Sequence, residues 1–364
     1  MTNEEPAPGI KNDVPVDSPP EAGLGLDGRF RRRDADGCER DARAPKEVAN
    51  YRGQLPQRRA VIDVGTNSVK LLVADVAGVL ITPVCEESNQ TRLGAGFYTT
   101  RKLPAAAIAK TAAAVASYCG RAGQLGALSA RVIGTSAARD ALNAGDLAGA
   151  VRQASGLELE ILTGEQEADW VFRGVASDPK LAGESLLVLD VGGGSTEFVV
   201  GENSVPRFRA SYPLGTVRLL EQLKPGDPPG LEALARCRAV LRDFLEEHVA
   251  PALQPALGGG GGGRELVGTS GTAAILARME AKAPDFDRRQ IESTLLAIGR
   301  VREMLEAQWQ LPLASRRKIP GLPPDRADVI GMGIAIYEAI MERFGFERLR
   351  ISTRGLRYWA LLQG

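Results

Sequence analysis

From Arg59 onward, short apolar runs alternate with longer stretches in which Ala and Leu recur at helical spacing. The runs at 60–64, 69–76, 131–134, 158–162, 186–190, 197–201, 265–268 and 348–351 predict strands. The stretches 104–122, 139–143, 146–154, 165–175, 215–223, 230–248, 272–281, 289–307 and 326–344 predict helices, with Pro104 at a favourable first helical position. Such alternation predicts an α/β fold in layers. Residues 1–55 break the pattern: Pro, Gly, Asp and Arg dominate and aliphatic residues are few. That segment cannot bury enough apolar surface to offset its chain entropy, so a disordered tail is expected. Its cluster Arg29, Arg31, Arg32 and Arg33 is followed at once by Asp34, Asp36 and Glu39, which reads as solvated chain. The glycine run 258–263 predicts a flexible loop.

Self-similarity is the strongest signal. VIDVGTNSVKLLVADV at 61–76 matches VLDVGGGSTEFVVGEN at 188–203, aligning Asp63, Gly65 and Ser68 with Asp190, Gly192 and Ser195. VIGTSAA at 132–138 matches LVGTSGT at 266–272. One plan therefore occurs twice: strand, Asp-x-Gly turn, strand, and a later strand ending in Gly-Thr-Ser. Two related domains facing each other would bring four Gly/Ser/Thr-rich loops around one cleft. Such loops suit phosphate, because glycine lets an anion approach backbone N–H groups closely. Thr66, Asn67, Ser68, Ser195 and Thr196 add side-chain donors. Asp63 and Asp190 are hard oxygen ligands of the kind that hold Mg²⁺ largely through water. Each turn leads into another strand, unlike the P-loop or the dinucleotide G-x-G-x-x-G turn, which open helices.

Composition narrows the field. A chain of 364 residues suggests two domains and needs no disulfide or metal staple. Lys plus Arg and Asp plus Glu both number 45, which argues against a broadly basic nucleic-acid binder but permits a local basic groove. Cys38, Cys85, Cys119 and Cys237 form no CxxC pair, so they read as free thiols of a reducing cytosol. A single histidine, His248, excludes a multi-histidine metal cage, and it stands at the end of a predicted helix where the dipole favours it. No apolar run approaches the roughly 20 residues of a membrane span.

The motifs AVIDVGTNSVKLLV (60–73), GTSAARDALN (134–143), LTGEQEA (162–168), LVLDVGGGSTEFVVG (187–201), YPLGTVRL (212–219), VGTSGTAA (267–274) and LPPDRADVIGMGIAI (322–336) together resemble the Ppx/GppA phosphatases, within the actin/Hsp70/sugar-kinase superfamily. The resemblance runs from about residue 58 to the C-terminus. It implies two actin-like (ribonuclease H-like) domains with a central cleft: 56–164 plus 352–364 as the first, and 165–351 as the second. The chain ends soon after RLRISTRGLRYWALL, so the short two-domain form is expected, without the HD-like helical domain of longer members. The implied activity is metal-dependent removal of a terminal phosphate. An exopolyphosphatase is expected, with guanosine pentaphosphate (pppGpp) phosphohydrolase and a superfamily kinase or ATPase as alternatives; TGEQEA disfavours the last.

By the resemblance, Glu167 matches the catalytic glutamate that activates water, and Asp190 and Glu197 match carboxylates of the metal and water site. Asn67, Gly192, Gly193 and Ser195 match phosphate-loop positions, and Arg139 and Arg326 match phosphate-binding arginines. Thr216 falls where another member has a different small polar or thiol residue. Loop chemistry adds Gly65, Thr66, Ser68, Gly194, Thr196 and Ser270 as substrate contacts, Asp63 beside Asp190 as a metal ligand, and Arg92 in NQTRLGAGF as a further phosphate contact. Spacing alone leaves blander roles open. Glu167 near a helix start also complements the dipole, Glu197 also reads as an exposed strand carboxylate, and Arg139 as an exposed helix arginine. Arg326 also reads as a partner of Asp325 or Asp328, and the cluster Arg316, Arg317 and Lys318 as a polyphosphate path or a solvated loop. Mg²⁺ or another divalent ion is the expected cofactor, with a monovalent cation compatible. Polyphosphate or pppGpp is the expected substrate. The family's habit suggests a homodimer, and a cytoplasmic protein without membrane or nucleic-acid partners is expected.

Overall fold

The computed structural model describes residues 55–258 and 263–363. The expected tail, apart from Leu55, and residues 259–262 of the glycine run lie outside them. Among the described residues, β1 (Gln57–Val64), β2 (Val69–Ala77), β3 (Leu80–Asn89), β4 (Ser129–Gly134) and β5 (Leu159–Ile161) form one sheet, ordered β3-β2-β1-β4-β5. The second sheet comprises β6 (Ser185–Val191), β7 (Thr196–Glu202), β8 (Val205–Tyr212), β9 (Glu265–Thr269), β10 (Leu295–Ala297) and β11 (Arg348–Ile351), ordered β10-β11-β9-β6-β7-β8. In each sheet an antiparallel three-strand meander is extended by two parallel strands, and in the second sheet β10 adds an antiparallel edge beside β11. The fold is α/β with two sheets of one plan, as the repeat predicts.

The duplication reaches further than the sequence match. β3 and β8 escaped prediction because Pro83 and Pro206 interrupt their patterns. Both lie at a sheet edge, where a missing N–H is tolerated. Each ladder slips by one residue beside its proline, between Val73 and Ala74 in one sheet and between Val200 and Gly201 in the other.

Four helix predictions need correction. The stretch 289–307 divides into Arg288–Glu292, β10 and Ile298–Gln310, because Leu295–Ala297 pairs with β11 instead of continuing the helix. The helix expected at 139–143 is Ser136–Asp140, starting directly at the end of the Gly-Thr-Ser strand. The helix expected from 326 begins at Ile330, after a 3₁₀ turn at Pro324–Arg326. The stretch 230–248 is helical over Gly230–Phe244, widens into a π turn at Leu245–Val249 and continues as Ala250–Ala256.

Two helices tie the sheets together. Gly164–Ala176 follows β5 of the first sheet but packs on β7 and β8 of the second. Leu356–Leu362 follows β11 of the second sheet but packs on β1 and β2 of the first. The two helices also pack on each other, and a Cβ on Gly174 would stand 1.9 Å from the carbonyl oxygen of Gly355. Only glycine permits that approach. Phe172, Val175, Tyr358 and Leu361 join Val61 and Leu72 from one sheet to Val188 and Val199 from the other in a single apolar cluster. Its burial fixes where the strand ends of both sheets meet.

Candidate active site

The Asp-x-Gly turns are built alike. Gly65 N donates to Ser68 O, and Gly192 N to Ser195 O, each at 3.0 Å. Each turn is also clasped by a Leu-Gly segment that follows the third strand of its meander. Gly94 N donates to Thr66 O at 2.7 Å, while Thr216 N and Val217 N donate to Gly192 O and Gly193 O at 3.0 and 2.8 Å. A Cβ on Gly94 would meet the Thr66 side chain at 2.3 Å, and one on Gly215 would meet Gly193 C at 2.5 Å. The pairs Leu93-Gly94 and Leu214-Gly215 are thus a further part of the repeat, too short to stand out in the sequence.

Both turns open on one cleft of about 80 Å³. At roughly 30 Å³ per water, that is room for about three waters, or a phosphoryl group with little besides. Asp63, Gly65, Thr66, Asn67 and Ser68 line it from the first sheet; Asp190, Gly192, Gly193, Gly194, Ser195 and Glu197 line it from the second. Glu167, Ser270 and Arg326 complete the expected set at this wall. Three expected residues lie elsewhere. Thr196 turns its hydroxyl to Leu214 O at 2.5 Å, fastening the second clasp. Arg92 Nη1 pairs with Asp328 Oδ2 at 2.5 Å, while its backbone N–H holds Asn67 O at 3.0 Å. Arg139 reaches Glu167 rather than the turns, donating from Nη1 to Oε2 at 2.6 Å.

Local structure positions the carboxylates. Thr163 caps the helix Gly164–Ala176 with a reciprocal capping box to Gln166, which sets Glu167 in the first turn. Asp190, the penultimate residue of β6, accepts from Ser270 Oγ at 2.5 Å. Ser270 holds φ +65°, a left-handed conformation unusual for serine and of the kind that collects at functional sites. Glu197 Oε1 accepts from both Ser195 Oγ and Ser211 Oγ at 2.7 Å. Glu167, Asp190 and Glu197 are all buried. Burial raises the Glu167 carboxyl to about 7 against the opposing pull of Arg139. It raises Asp190 to about 6, opposed by Lys70 and the Ser270 hydrogen bond. Glu197 is pushed well above the carboxylate range by burial and by the negative charge of Glu167 and Asp190.

Two basic residues here were not anticipated. Lys70 and Arg357 also line the cleft, and Lys70 Nζ lies 4.0 Å from Asp63 Oδ2. Burial lowers the basicity of Lys70, Arg326 and Arg357 alike. An anion entering here would favour their charged forms. The available signal was a lone charge in an apolar run: Lys70 in VKLLV, and Arg357 in LRYWALL. Among the cleft residues, Asp63 Oδ1, Asn67 Nδ2 and Ser136 Oγ are buried without a hydrogen-bond partner. Buried polar atoms rarely stay unpaired in a closed core, so these point to a polar ligand.

The family model of the Ppx/GppA phosphatases matches residues 72–362. The chain belongs to the Ppx/GppA phosphatase family. It is 34% identical to Exopolyphosphatase 2 of Mycobacterium tuberculosis over 317 residues, covering 82% of this chain and 96% of that protein. The crystal structure of an Aquifex aeolicus Ppx/GppA family member superposes with a TM-score of 0.70 at 28% identity, over 85% of this chain and 97% of that one. A guanosine-5′-triphosphate,3′-diphosphate pyrophosphatase of Aeromonas hydrophila is 29% identical over 304 residues, and the match spans 57% of its length. Within the Ppx/GppA frame, the repeated turns and the three buried carboxylates line one cleft, and the Leu-Gly clasps hold the turns.

Proposed function

We propose that this chain is an exopolyphosphatase, a hydrolase that removes the terminal phosphate of inorganic polyphosphate. The observation that carries the reading is Glu167, a buried carboxylate facing two glycine turns whose neighbouring donors have no partner. In this scheme the terminal phosphoryl group lies between the turns. Backbone N–H groups, Asn67 Nδ2 and the cations Lys70, Arg326 and Arg357 neutralise its oxygens. Glu167 takes a proton from water as the water oxygen bonds to phosphorus. The bond from phosphorus to the bridging oxygen breaks, releasing orthophosphate and a chain one unit shorter. Arg139 holds the Glu167 carboxylate in place, and Glu197, fixed by two serines, orients the water.

The donor set fits a divalent ion. Asp63 Oδ1 lacks a partner and Asp190 lines the same wall, and Mg²⁺ commonly takes one or two carboxylates with water and phosphate oxygens. Bound there, it would offset negative charge on the phosphoryl group. We read the two sheets as lobes, 56–164 with 352–364 and 165–351, that close on the chain end. We further read the protein as a cytoplasmic homodimer. Among the described residues no helix is long and apolar enough to cross a membrane, and Cys85, Cys119 and Cys237 form no disulfide.

The Aeromonas relative favours pppGpp phosphohydrolase as the second reading. Orthophosphate release from long-chain polyphosphate, pppGpp and ATP, each with Mg²⁺, separates the readings. The highest kcat/KM on polyphosphate is expected. A higher value on pppGpp transfers the assignment to the second reading, and turnover of ATP alone overturns both.

A further inference from the structure

The two turns of the repeat differ in composition. The first reads Gly65-Thr66-Asn67-Ser68 and the second Gly192-Gly193-Gly194-Ser195. Three consecutive glycines leave their peptide planes free to turn over, because no Cβ restricts the backbone. Space explains the third of them: a Cβ on Gly194 would stand 2.3 Å from Tyr98 Oη and 2.5 Å from Ser136 Oγ. Hydrogen bonds must therefore do what side chains do in the first turn.

One segment holds all three glycine carbonyls. Thr216 N donates to Gly192 O at 3.0 Å, and Val217 N and Arg218 N donate to Gly193 O at 2.8 and 3.2 Å. Gly194 O is held by a side chain: Arg218 Nε donates to it at 2.9 Å. In a trans peptide the C=O and the following N–H point in opposite directions. With Gly194 O turned to Arg218, the Ser195 N–H is directed to the other side of the turn. Gly194 and Ser195 line the cleft, and Arg218 is not among the residues that do. Arg218 is itself anchored. Its Nη2 donates to Asp140 Oδ2 at 3.2 Å, and its guanidinium carbon lies 4.2 Å from the centroid of the Tyr98 ring. Asp140 is the neighbour of Arg139, which holds Glu167. Three residues after its clasp glycine, Gly94, the first copy has Phe97, 2% exposed, where the second has Arg218. The side-chain donor is thus a feature in which the two copies diverge.

We propose that Arg218 is a positioning residue that locks the Gly194–Ser195 peptide, so that the Ser195 N–H is aimed at the phosphoryl group between the turns. The inference rests on the proposed binding of phosphate in the cleft. It holds for any substrate that presents a terminal phosphate there.

The test uses the full chain labelled with ¹⁵N and titrated with inorganic orthophosphate in the presence of Mg²⁺. In the wild type the amide signals of Asn67 and Ser68 in the first turn and of Ser195 in the second are expected to move saturably. In Arg218→Met the Asn67 and Ser68 signals should still move, which reports a folded cleft, while the Ser195 response is lost. For polyphosphate, kcat/KM should fall at least about tenfold, as for removal of one anion-stabilising donor. The ascending limb of its pH profile should stay near 7, because Arg139 still holds Glu167. A wild type that responds at neither turn overturns the phosphate reading of the cleft and this inference with it. A wild type that responds at both turns leaves that reading standing. The assignment of Arg218 alone is then overturned by an unchanged Ser195 response in the variant, by loss of the response at both turns, or by a pH limb displaced to higher pH.

Discussion

Arg139 Nη1 donates to Glu167 Oε2 at 2.6 Å, joining the helix that follows β4 to the first turn of the helix that follows β5. The same guanidinium also holds Leu162 O at 3.3 Å, so the contact orients the carboxylate as well as lowering its proton affinity. Replacing Arg139 with Met leaves burial and neighbouring negative charge to raise Glu167 further above about 7. A base must be ionised, so the ascending limb of the kcat/KM–pH profile is expected near 7 in the wild type and at higher pH in the variant. Activity at neutral pH should fall at least about tenfold, with recovery in alkali. An equal loss at every pH would mean that Arg139 acts on the substrate instead.

Glu167→Gln keeps the shape and removes the base. Orthophosphate release from polyphosphate should fall on the order of 10²–10⁴-fold in kcat, with KM little changed. Single-turnover release with saturating polyphosphate checks this. Equal activity of the two proteins would leave the reaction class standing and remove Glu167 from its role.

Glu197 gives a prediction for stability. Its carboxyl is raised in the folded state, so the fold holds the proton more tightly than the unfolded chain does. Its favourable contribution is complete below the unfolded value of about 4.5 and is lost as pH rises through the higher folded value. Glu197→Gln stays neutral at every pH and retains an oxygen for Ser195 and Ser211. Without metal or phosphate, its Tm should exceed that of the wild type at pH about 8, and the gap should close by about 4.5. Scanning calorimetry across that range measures it, and a gap that widens in acid contradicts it.

At the helix crossing, Gly174→Ala would drive a methyl group to 1.9 Å from Gly355 O, a backbone atom that cannot step aside alone. Overpacking of this kind costs about 1–3 kcal/mol or more, so Tm should drop by about 2–5 °C or more. Gly120→Ala, in the helix Ala105–Gln124 with nothing within 4 Å of its added Cβ, should instead stabilise by about 0.5–1 kcal/mol. Thermal unfolding of the two variants side by side distinguishes a packing constraint from a general helix preference.

The chain by itself determined what depends on neighbours in sequence. Apolar strands entering Asp-x-Gly turns were legible twice, because turn geometry and phosphate chemistry are set by a few consecutive residues. The edge strands β3 and β8 were hidden, since Pro83 and Pro206 contradict local strand preference and only edge position excuses them. The helical pattern over 289–307 conceals β10, because its pairing with β11 is a tertiary contact. Tertiary structure alone decided the partners of the charges. Arg92 met Asp328, Arg139 met Glu167, and Lys70 and Arg357 came to one cleft from opposite ends of the chain. A guanidinium pairs with whatever carboxylate lies within a few ångströms, and that distance is set by two helices, each packed on the other's sheet. Periodicity reports which face of an element is buried; it carries no record of which remote side chain will be waiting there.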